Sequence, residues 1–165
     1  MTGMPKIREI QPKDDAQMKK ILKFCLEEAD LALPGTAYFD PQIGELAEYY
    51  AHTTRAKYFV AVADTDDDQV LGGCGIGPVA DFEDICELQK LYLTPAARGQ
   101  GLSKRLLAKS IAAAKAFGYE RMYVVTDTKL PIANKLYQAQ GFTRLPHALA
   151  DDPHDGCDTW YIKDI

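Results

Sequence analysis

Hydrophobic and polar positions follow two different periods along the chain, and each change of period marks a predicted element. Residues 6–10 are typical of a short strand, and Pro12 opens a helix whose apolar residues recur at helical spacing. A second short helix is predicted at 43–50. The β-rich runs 58–63 and 70–76 flank a polar, acidic turn, which indicates an antiparallel hairpin.

The second half of the chain has longer elements. Pro95 closes an apolar run at 85–93, and residues 102–117 have the spacing of a long amphipathic helix. A buried strand at 123–126, a helix at 131–140 and two closing strands follow. This order predicts an α+β fold, in which a mostly antiparallel sheet has one parallel pairing where the long helix crosses over.

Length and composition describe a single domain, residues 1–165. No apolar run approaches the ~20 residues of a membrane span, and the N-terminus lacks the apolar core of a signal peptide. We therefore expect a cytoplasmic protein that does not act at a membrane. Its four cysteines show no CxxC spacing, so we expect free thiols, three of them buried, rather than disulfides or a zinc site.

Charge is distributed unevenly along the chain. The formal net charge is −5, yet residues 88–119 contain no acidic residue and carry six basic ones. This basic stretch is too short for the many phosphate contacts of non-specific nucleic-acid binding. It suits a small anion better, so nucleic acid is not an expected partner.

Two glycine-rich segments are candidate phosphate sites. In "GGCGIG" (72–77) the sixth fingerprint position falls on Pro78 and no helix follows, so we interpret a strand with glycines at a bulge or close contact. "RGQGLSKRLL" (98–107) instead precedes a helix, whose N-terminus binds anions through unpaired N–H groups. Lys104 and Arg105 are unfavourable in a first helical turn, which indicates a bound phosphate or, alternatively, an ordinary solvated basic face.

The same segment carries a family resemblance. "LYLTPAARGQGLSKRLL" (91–107) resembles the central motif of the GNAT superfamily of acyl-CoA-dependent N-acyltransferases: Gln or Arg, two residues, Gly, one residue, then Gly or Ala, here Ser103. "ANKLYQAQGF" (133–142) resembles the second marker of that family, and "KIREIQPKDD" (6–15) its usual first strand and helix start. The resemblance implies a GNAT-like fold with helices on both faces of a mixed sheet, and acetyl-CoA as co-substrate.

The resemblance also implies a cofactor site. The backbone of Leu91, Tyr92 and Leu93 would pair with the pantetheine arm and bind the thioester carbonyl. The pyrophosphate would rest on the amides of 99–104, among Arg98, Lys104 and Arg105; the cofactor-binding residues of this turn are thus Arg98, Gly99, Gln100, Gly101, Leu102, Ser103 and Lys104. Many members hold the pantetheine with an Asn seven residues before the motif tyrosine, where this chain has Leu130. Asn134 could replace it, or be a plain helix-surface residue.

Two residues are predicted to be catalytic by the same resemblance. Tyr137 matches the tyrosine that protonates the departing thiolate, although it could simply pack in the core. Glu87 matches the catalytic glutamate of histone-type members and would accept the proton of the amine, directly or through water. A salt-bridged glutamate at a strand edge is the alternative, and Asp81, Glu83 and Asp84 are other nearby acids.

The segment "PHALADDPHDGC" (146–157) offers two further hypotheses. His147, His154 and Cys157 could be imagined as metal ligands, but a loop between closing strands explains them better, and no metal is expected. The aspartates of the segment and the one that follows it can border the acceptor site, which would favour a cationic amine; they are Asp151, Asp152, Asp155 and Asp158.

These features predict an N-acetyltransferase that moves an acetyl group from acetyl-CoA directly to a primary amine of a small molecule. No cysteine has a His at motif spacing, so no covalent enzyme intermediate is expected. A non-catalytic acyl-CoA-binding regulatory module and a protein N-terminal or lysine acetyltransferase are the alternatives. Exposed sheet edges also make a homodimer reasonable.

Overall fold

The computed structural model describes residues 4–64, 68–149 and 156–165 of the chain. The elements and their bounds are β1 (Lys6–Glu9), α1 (Asp15–Glu28), α2 (Leu46–Ala51), β2 (Lys57–Val62), β3 (Val70–Val79), β4 (Phe82–Leu93), α3 (Leu102–Ala116), β5 (Arg121–Thr126), α4 (Pro131–Ala139), β6 (Thr143–Leu145) and β7 (Thr159–Asp164). Every predicted element is present. The main differences lie at the ends, since β3 and β4 both extend further into their shared hairpin than the apolar runs suggested.

One mixed sheet organises the fold. Its strand order is β1-β2-β3-β4-β5-β7-β6. The β4–β5 pair is parallel and every other neighbouring pair is antiparallel. The predicted α+β class, the hairpin and the single parallel crossover through α3 are confirmed.

Helices cover both faces of the sheet. Successive side chains of a strand point to opposite faces, and in β2 both sets are apolar and pack against helices. On β2, Phe59 and Ala61 pack into the cluster that contains α3 and α4. Tyr58, Val60 and Val62 pack into the cluster that contains α1 and α2. In the part of the chain that the structure describes, no helix is long and apolar enough to cross a membrane.

The glycines of "GGCGIG" allow neighbouring groups to approach β3 closely. A Cβ placed at Gly73 or at Gly75 would lie 2.5 Å from the Tyr58 ring, and one at Gly72 would lie 2.3 Å from the side chain of Leu93. The β3–β4 register also shifts between Gly73 and Gly75. Both parts of the interpretation, a bulge and a close contact, are confirmed, and so is the burial of three thiols, Cys25, Cys74 and Cys86.

Candidate active site

A cleft opens where the two parallel strands of the sheet separate. β4 and β5 are paired only from Ile85 with Arg121 to Leu88 with Val124. Beyond that point, residues 90–93 of β4 and 125–126 of β5 line opposite walls of a cavity of about 660 Å³, a size typical of ligand sites. The parallel pairing thus fixes the inner end of the cleft.

A bulge in β4 sets the course of one wall. Lys90 has a left-handed φ of 52°, and β3 residue Cys74 lies opposite both Lys90 and Leu91, since Gly75 pairs with Gln89 and Gly73 with Tyr92. The Tyr58 hydroxyl donates a hydrogen bond of 2.7 Å to the Lys90 carbonyl. The glycines of β3 therefore serve the cleft, because they make room for the ring that holds the bulge.

The N-terminus of α3 opens on the same cleft. Gly99 and Gly101 adopt left-handed φ values of 76° and 77°, and a Cβ at either position would meet nothing within 4 Å. No side chain of the described residues caps α3, so its first N–H groups lack intrahelical acceptors. This geometry can bind a phosphate group through main-chain amides and the positive end of the helix dipole.

The basic side chains of the turn lie in different directions. Lys104 lines the cleft. Arg98 also lines it, but its guanidinium forms an ion pair of 2.9 Å with Glu28 of α1 and donates to the Leu93 carbonyl. Arg105 donates to the Pro5 carbonyl at 2.8 Å and is not among the cleft-lining residues. Of the three cations expected around an anion, Lys104 and Arg98 line the cleft, Arg98 with its guanidinium already paired, and Arg105 does not.

The opposite wall of the cleft adds cations that the sequence pattern missed. Lys129, just before α4, and Lys135 within it both line the cavity. Glu28 is the only carboxylate among the described residues of the lining. The cleft is therefore positively charged overall, as the binding of a phosphorylated ligand requires.

Of the predicted cofactor-binding residues, most line the cleft. The lining includes Leu91, Tyr92, Leu93, Arg98, Gly99, Gly101, Leu102, Ser103 and Lys104. Two others are placed differently. The Gln100 amide donates to the Ala96 carbonyl. Asn134 donates to the carbonyls of Asp127 and Leu130 and accepts from the Tyr161 hydroxyl, so its side chain secures the start of α4 while Leu130 itself lines the cleft.

Tyr137 lies on the cleft side of α4. Its ring packs against Phe142 and Tyr161, with centroid distances of 5.5 and 5.6 Å, and no hydrogen bond joins its hydroxyl to another residue in the described ranges. Burial raises the pKa of this hydroxyl well above its ordinary value, with a smaller contribution from Cys74. The hydroxyl therefore stays protonated at neutral pH. It packs in the core and lines the cleft at once, so the two interpretations of Tyr137 are compatible.

A small chamber adjoins the inner end of the cleft. Its volume is about 40 Å³, and it shares Leu88, Lys90, Tyr92, Val125, Thr126 and Leu130 with the cleft. Its other polar lining residues are Thr36, Glu87, Gln89 and Cys157. We call this space the acceptor chamber. A partly exposed carboxylate thus lies next to the inner end of the cleft.

Glu87 accepts a hydrogen bond from a second strand residue. The Gln89 amide donates to Glu87 Oε1 at 2.7 Å, and the Tyr50 hydroxyl of α2 donates to Gln89 Oε1 at 2.6 Å. Two residues apart on β4, Glu87 and Gln89 share one face of the sheet. The resulting chain of donors crosses from α2 into the acceptor chamber.

A buried ion pair lies beside that carboxylate. Lys90 Nζ is 2.9 Å from Asp40, and the two side chains are only 4% and 10% exposed. Residues three apart on a regular strand point to opposite faces, yet Glu87 and Lys90 both line the acceptor chamber, because the bulge at Lys90 breaks the alternation.

The alternative bases lie elsewhere. Asp84 pairs with Arg121 at 3.4 Å, Glu83 is exposed, and Asp81 occupies the turn between β3 and β4 with a φ of 69°. None of these three lines the cleft or the acceptor chamber. Glu87 is therefore the carboxylate of β4 that reaches the cavity.

The segment 146–157 is only partly described. Asp158, just after it, accepts hydrogen bonds from the backbone and hydroxyl of Thr128, which ties this residue to the loop before α4. The hypotheses on Asp151, Asp152, His154 and Asp155 concern positions outside the described residues. Within the described ranges, no group of three His, Cys, Asp or Glu side chains could hold a metal ion.

Comparison with known proteins identifies related sequences and folds. The sequence model of the acetyltransferase (GNAT) family matches residues 17–142. An uncharacterized N-acetyltransferase of Escherichia coli (strain K12), YjgM, is 32% identical over 163 residues, which cover 98% of this chain and 95% of that protein.

Solved structures show the same architecture at lower identity. An acetyltransferase of the GNAT family from Staphylococcus aureus Mu50 aligns with a TM-score of 0.81 and 17% identity over 97% of this chain and 98% of the other. The phosphinothricin acetyltransferase of Sinorhizobium meliloti, solved with acetyl-CoA, aligns with a TM-score of 0.73 and 20% identity over 99% and 89%. At these identities the structures support the fold.

Proposed function

The chain belongs to the acetyltransferase (GNAT) family, and from this premise we propose that it acetylates a primary amine of a small molecule, with Glu87 as the base and Tyr137 as the acid. Acetyl-CoA is the co-substrate of the enzyme and supplies the acetyl group as a thioester. The observation that supports the proposal is that the cleft, which Tyr137 lines, and the acceptor chamber, which Glu87 lines, are adjacent and share six lining residues.

The cleft fits the proposed cofactor. Main-chain amides at the start of α3 would hold the pyrophosphate, and the separated edge of β4 at 91–93 would hold the pantetheine arm. Gly99 and Gly101 leave open space in front of those amides. Lys104, Lys129 and Lys135 supply the positive charge that a coenzyme with several phosphates requires.

Glu87 is proposed to remove the proton that blocks the nucleophile. An alkylamine with a pKa near 10.4 is neutral in only about one molecule in a thousand at pH 7.4, a handicap of roughly 4 kcal/mol. The carboxylate lines the acceptor chamber and can accept that proton directly or through a water molecule.

Tyr137 is proposed to return a proton to the thiolate that leaves. Its raised pKa keeps the hydroxyl protonated across the neutral range. Backbone N–H groups of 91–93 would stabilise the oxyanion that forms on the attacked carbonyl. Burial also raises the pKa of Cys25, the thiol that lines the cleft, which makes it a poorer nucleophile and supports direct transfer.

The size of the acceptor chamber supports a small acceptor. A volume of about 40 Å³ holds roughly three water molecules, which matches an amino group and the few atoms next to it. Glu87 and Asp40 outweigh Lys90 in charge around this space, which favours an acceptor that enters as an ammonium ion.

The test is amine-dependent thiol release from acetyl-CoA, measured across a panel of polyamines, amino acids, amino sugars and lysine peptides. We expect a small amine to drive release and Glu87→Gln to lower kcat by about 10²- to 10³-fold at neutral pH. Glu83→Gln, the same change at an exposed position of β4, is the matched control and should keep full activity.

Tyr137→Phe tests the acid in the same assay. We expect kcat to fall about 10- to 100-fold while calorimetric binding of coenzyme A is retained. Tyr119→Phe removes another buried hydroxyl, one that donates to the Arg55 carbonyl outside the cleft, and should leave kcat unchanged. Tight binding of coenzyme A without thiol release for any amine would show a binding module instead of an enzyme.

A further inference from the structure

The side chains of Tyr50 and Gln89 form a chain of hydrogen bonds that ends on the proposed base. We infer that Tyr50 and Gln89 are positioning residues that orient the Glu87 carboxylate and keep it ionised. This inference rests on the proposed role of Glu87, because neither residue is expected to touch the reacting atoms. The two residues act on the orientation and the ionisation of the Glu87 carboxylate.

The hydrogen bonds all run toward Glu87. The Gln89 amide donates its N–H to Glu87 Oε1 at 2.7 Å, and an ionised carboxylate only accepts. The amide oxygen of Gln89 then faces the Tyr50 hydroxyl at 2.6 Å, and that hydroxyl must donate. Each member thus supports the ionised form of Glu87.

Tyr50 is suited to a permanent donor role. Its side chain is 4% exposed and packs against Tyr58 and Tyr49, with ring centroids 5.2 and 5.1 Å apart. Burial raises the pKa of its hydroxyl well above the ordinary value, with smaller contributions from Tyr49 and Glu87. The hydroxyl therefore stays protonated wherever the enzyme works.

The strand beside β4 leaves room for the Gln89 amide. Gly77 of β3 pairs with Glu87, and a Cβ at Gly77 would lie 3.1 Å from both polar atoms of the Gln89 side chain. A larger residue at this position would press on the amide. The hydrogen bond to Glu87 thus depends on a third position of the glycine-rich segment.

Several other polar groups surround Glu87 and stay constant in the test. Cys86 and Lys90 lie on the same strand as Glu87, and Lys90 is paired with Asp40. Tyr123 of β5 is the neighbour of Glu87 in the parallel pairing. Tyr92 and Cys157 line the acceptor chamber. Variants at Gln89 and Tyr50 leave these groups in place, so a change in titration reports the removed hydrogen bonds.

Gln89→Met, which keeps the length of the side chain and removes the donor, is the principal variant. Loss of a donor to the charged form raises the pKa of a carboxyl group, so the acidic limb of kcat/KM should move to higher pH by about half a unit to one unit. At neutral pH kcat should fall roughly tenfold, while KM for acetyl-CoA should not change.

Tyr50→Phe should also move the acidic limb of kcat/KM to higher pH, by a smaller amount than Gln89→Met. The double variant should resemble Gln89→Met, because Tyr50 acts through Gln89. Tyr49→Phe is the matched control, since Tyr49 is the neighbouring, more exposed tyrosine, and should behave as the unmodified protein. A fall in kcat with an unmoved acidic limb would show a merely structural role and overturn the inference.

A readout without turnover separates this inference from the proposed function. Carbon-13 NMR titration of the glutamate side chains, with Glu87→Gln to assign the signal, should show a higher Glu87 pKa in Gln89→Met than in the unmodified protein. An unchanged pKa overturns the inference even if the enzyme is active. A protein that releases no thiol with any amine loses the proposed function, whatever the titration shows.

Discussion

The two glycine-rich segments of the chain use the missing side chain in opposite ways. In β3, Gly73 and Gly75 provide space, because a Cβ at either position would lie 2.5 Å from the Tyr58 ring. At the start of α3, Gly99 and Gly101 have open space in front of them. Their φ values of 76° and 77° lie in the left-handed region, which other residues disfavour. The β3 glycines leave room for a neighbouring side chain, whereas the α3 glycines allow a left-handed backbone.

The two segments contribute to the site in different ways. The α3 turn faces the cleft directly, through its own main-chain amides. The β3 segment acts indirectly. Its glycines leave room for the Tyr58 ring, and the Tyr58 hydroxyl holds the bulge at Lys90. Substitutions should therefore separate the stability of the fold from the binding of coenzyme A.

The largest effect is expected for Gly75→Ala. The added Cβ would lie 2.6 Å from the Lys57 carbonyl oxygen, and a paired backbone cannot move away cheaply. We expect a loss of about 3 kcal/mol in the free energy of unfolding, measured as a fall of roughly 10 °C in Tm. Gly44→Ala, whose Cβ would meet only the flexible Lys19 side chain at 3.5 Å, should be nearly neutral. Equal Tm values for the two variants would contradict the role of Gly75 as a spacer.

Gly101→Ala should affect binding more than stability. A left-handed alanine costs roughly 1–2 kcal/mol, and relaxation of the turn would displace the amides, so coenzyme A should bind about tenfold more weakly by calorimetry. Gly118→Ala places the same strain at a φ of 86° beyond the other end of α3. Gly118→Ala should lose a similar amount of stability and keep full affinity for coenzyme A. If this variant also weakens coenzyme A binding, the turn at Gly101 has no special role in binding.

Tyr58→Phe tests the link between the two segments. Removal of the hydroxyl leaves the Lys90 carbonyl without this donor, at a cost of about 1 kcal/mol, measured by urea unfolding. Because the bulge shapes the cleft wall, we also expect a fall of roughly threefold in kcat/KM. A stability loss with unchanged kcat/KM would mean that the bulge holds its shape without Tyr58.

Lys104→Met should have the smallest effect. If the α3 turn binds mainly through its backbone, loss of one exposed charge should weaken coenzyme A binding about three- to fivefold at low salt and less at high salt. Lys115→Met, at the far end of α3, is the matched control. A hundredfold loss in Lys104→Met would show that the side chain dominates, and the contrast between the segments would fail.

The α3 turn and its helix could be predicted because their signal is local. A glycine pair, the cations around it and an amphipathic period lie within one stretch of sequence, and Tyr137 follows in a second such stretch. The surroundings of Glu87 are different. Tyr50 and Gln89 are separated by 39 residues and meet only when α2 packs against the sheet, which no local pattern indicates.

Two further features could not be predicted for physical reasons. The period-two rule places Glu87 and Lys90 on opposite faces of a strand, whereas the bulge brings both to the acceptor chamber. The charge pattern of 98–107 also omits Glu28, which comes from α1 and engages Arg98. Side-chain pairing across distant elements depends on tertiary packing, so the sequence indicated the cations without their partners.

The proposed main-chain binding at the start of α3 has an evolutionary consequence. Every residue except proline keeps its backbone N–H, so most mutations at exposed positions such as Gln100 should have little effect on binding of the co-substrate. The acceptor chamber consists of side chains and changes with each replacement. A lineage that keeps these two glycines can therefore retain its acetyl donor while selection explores new amines.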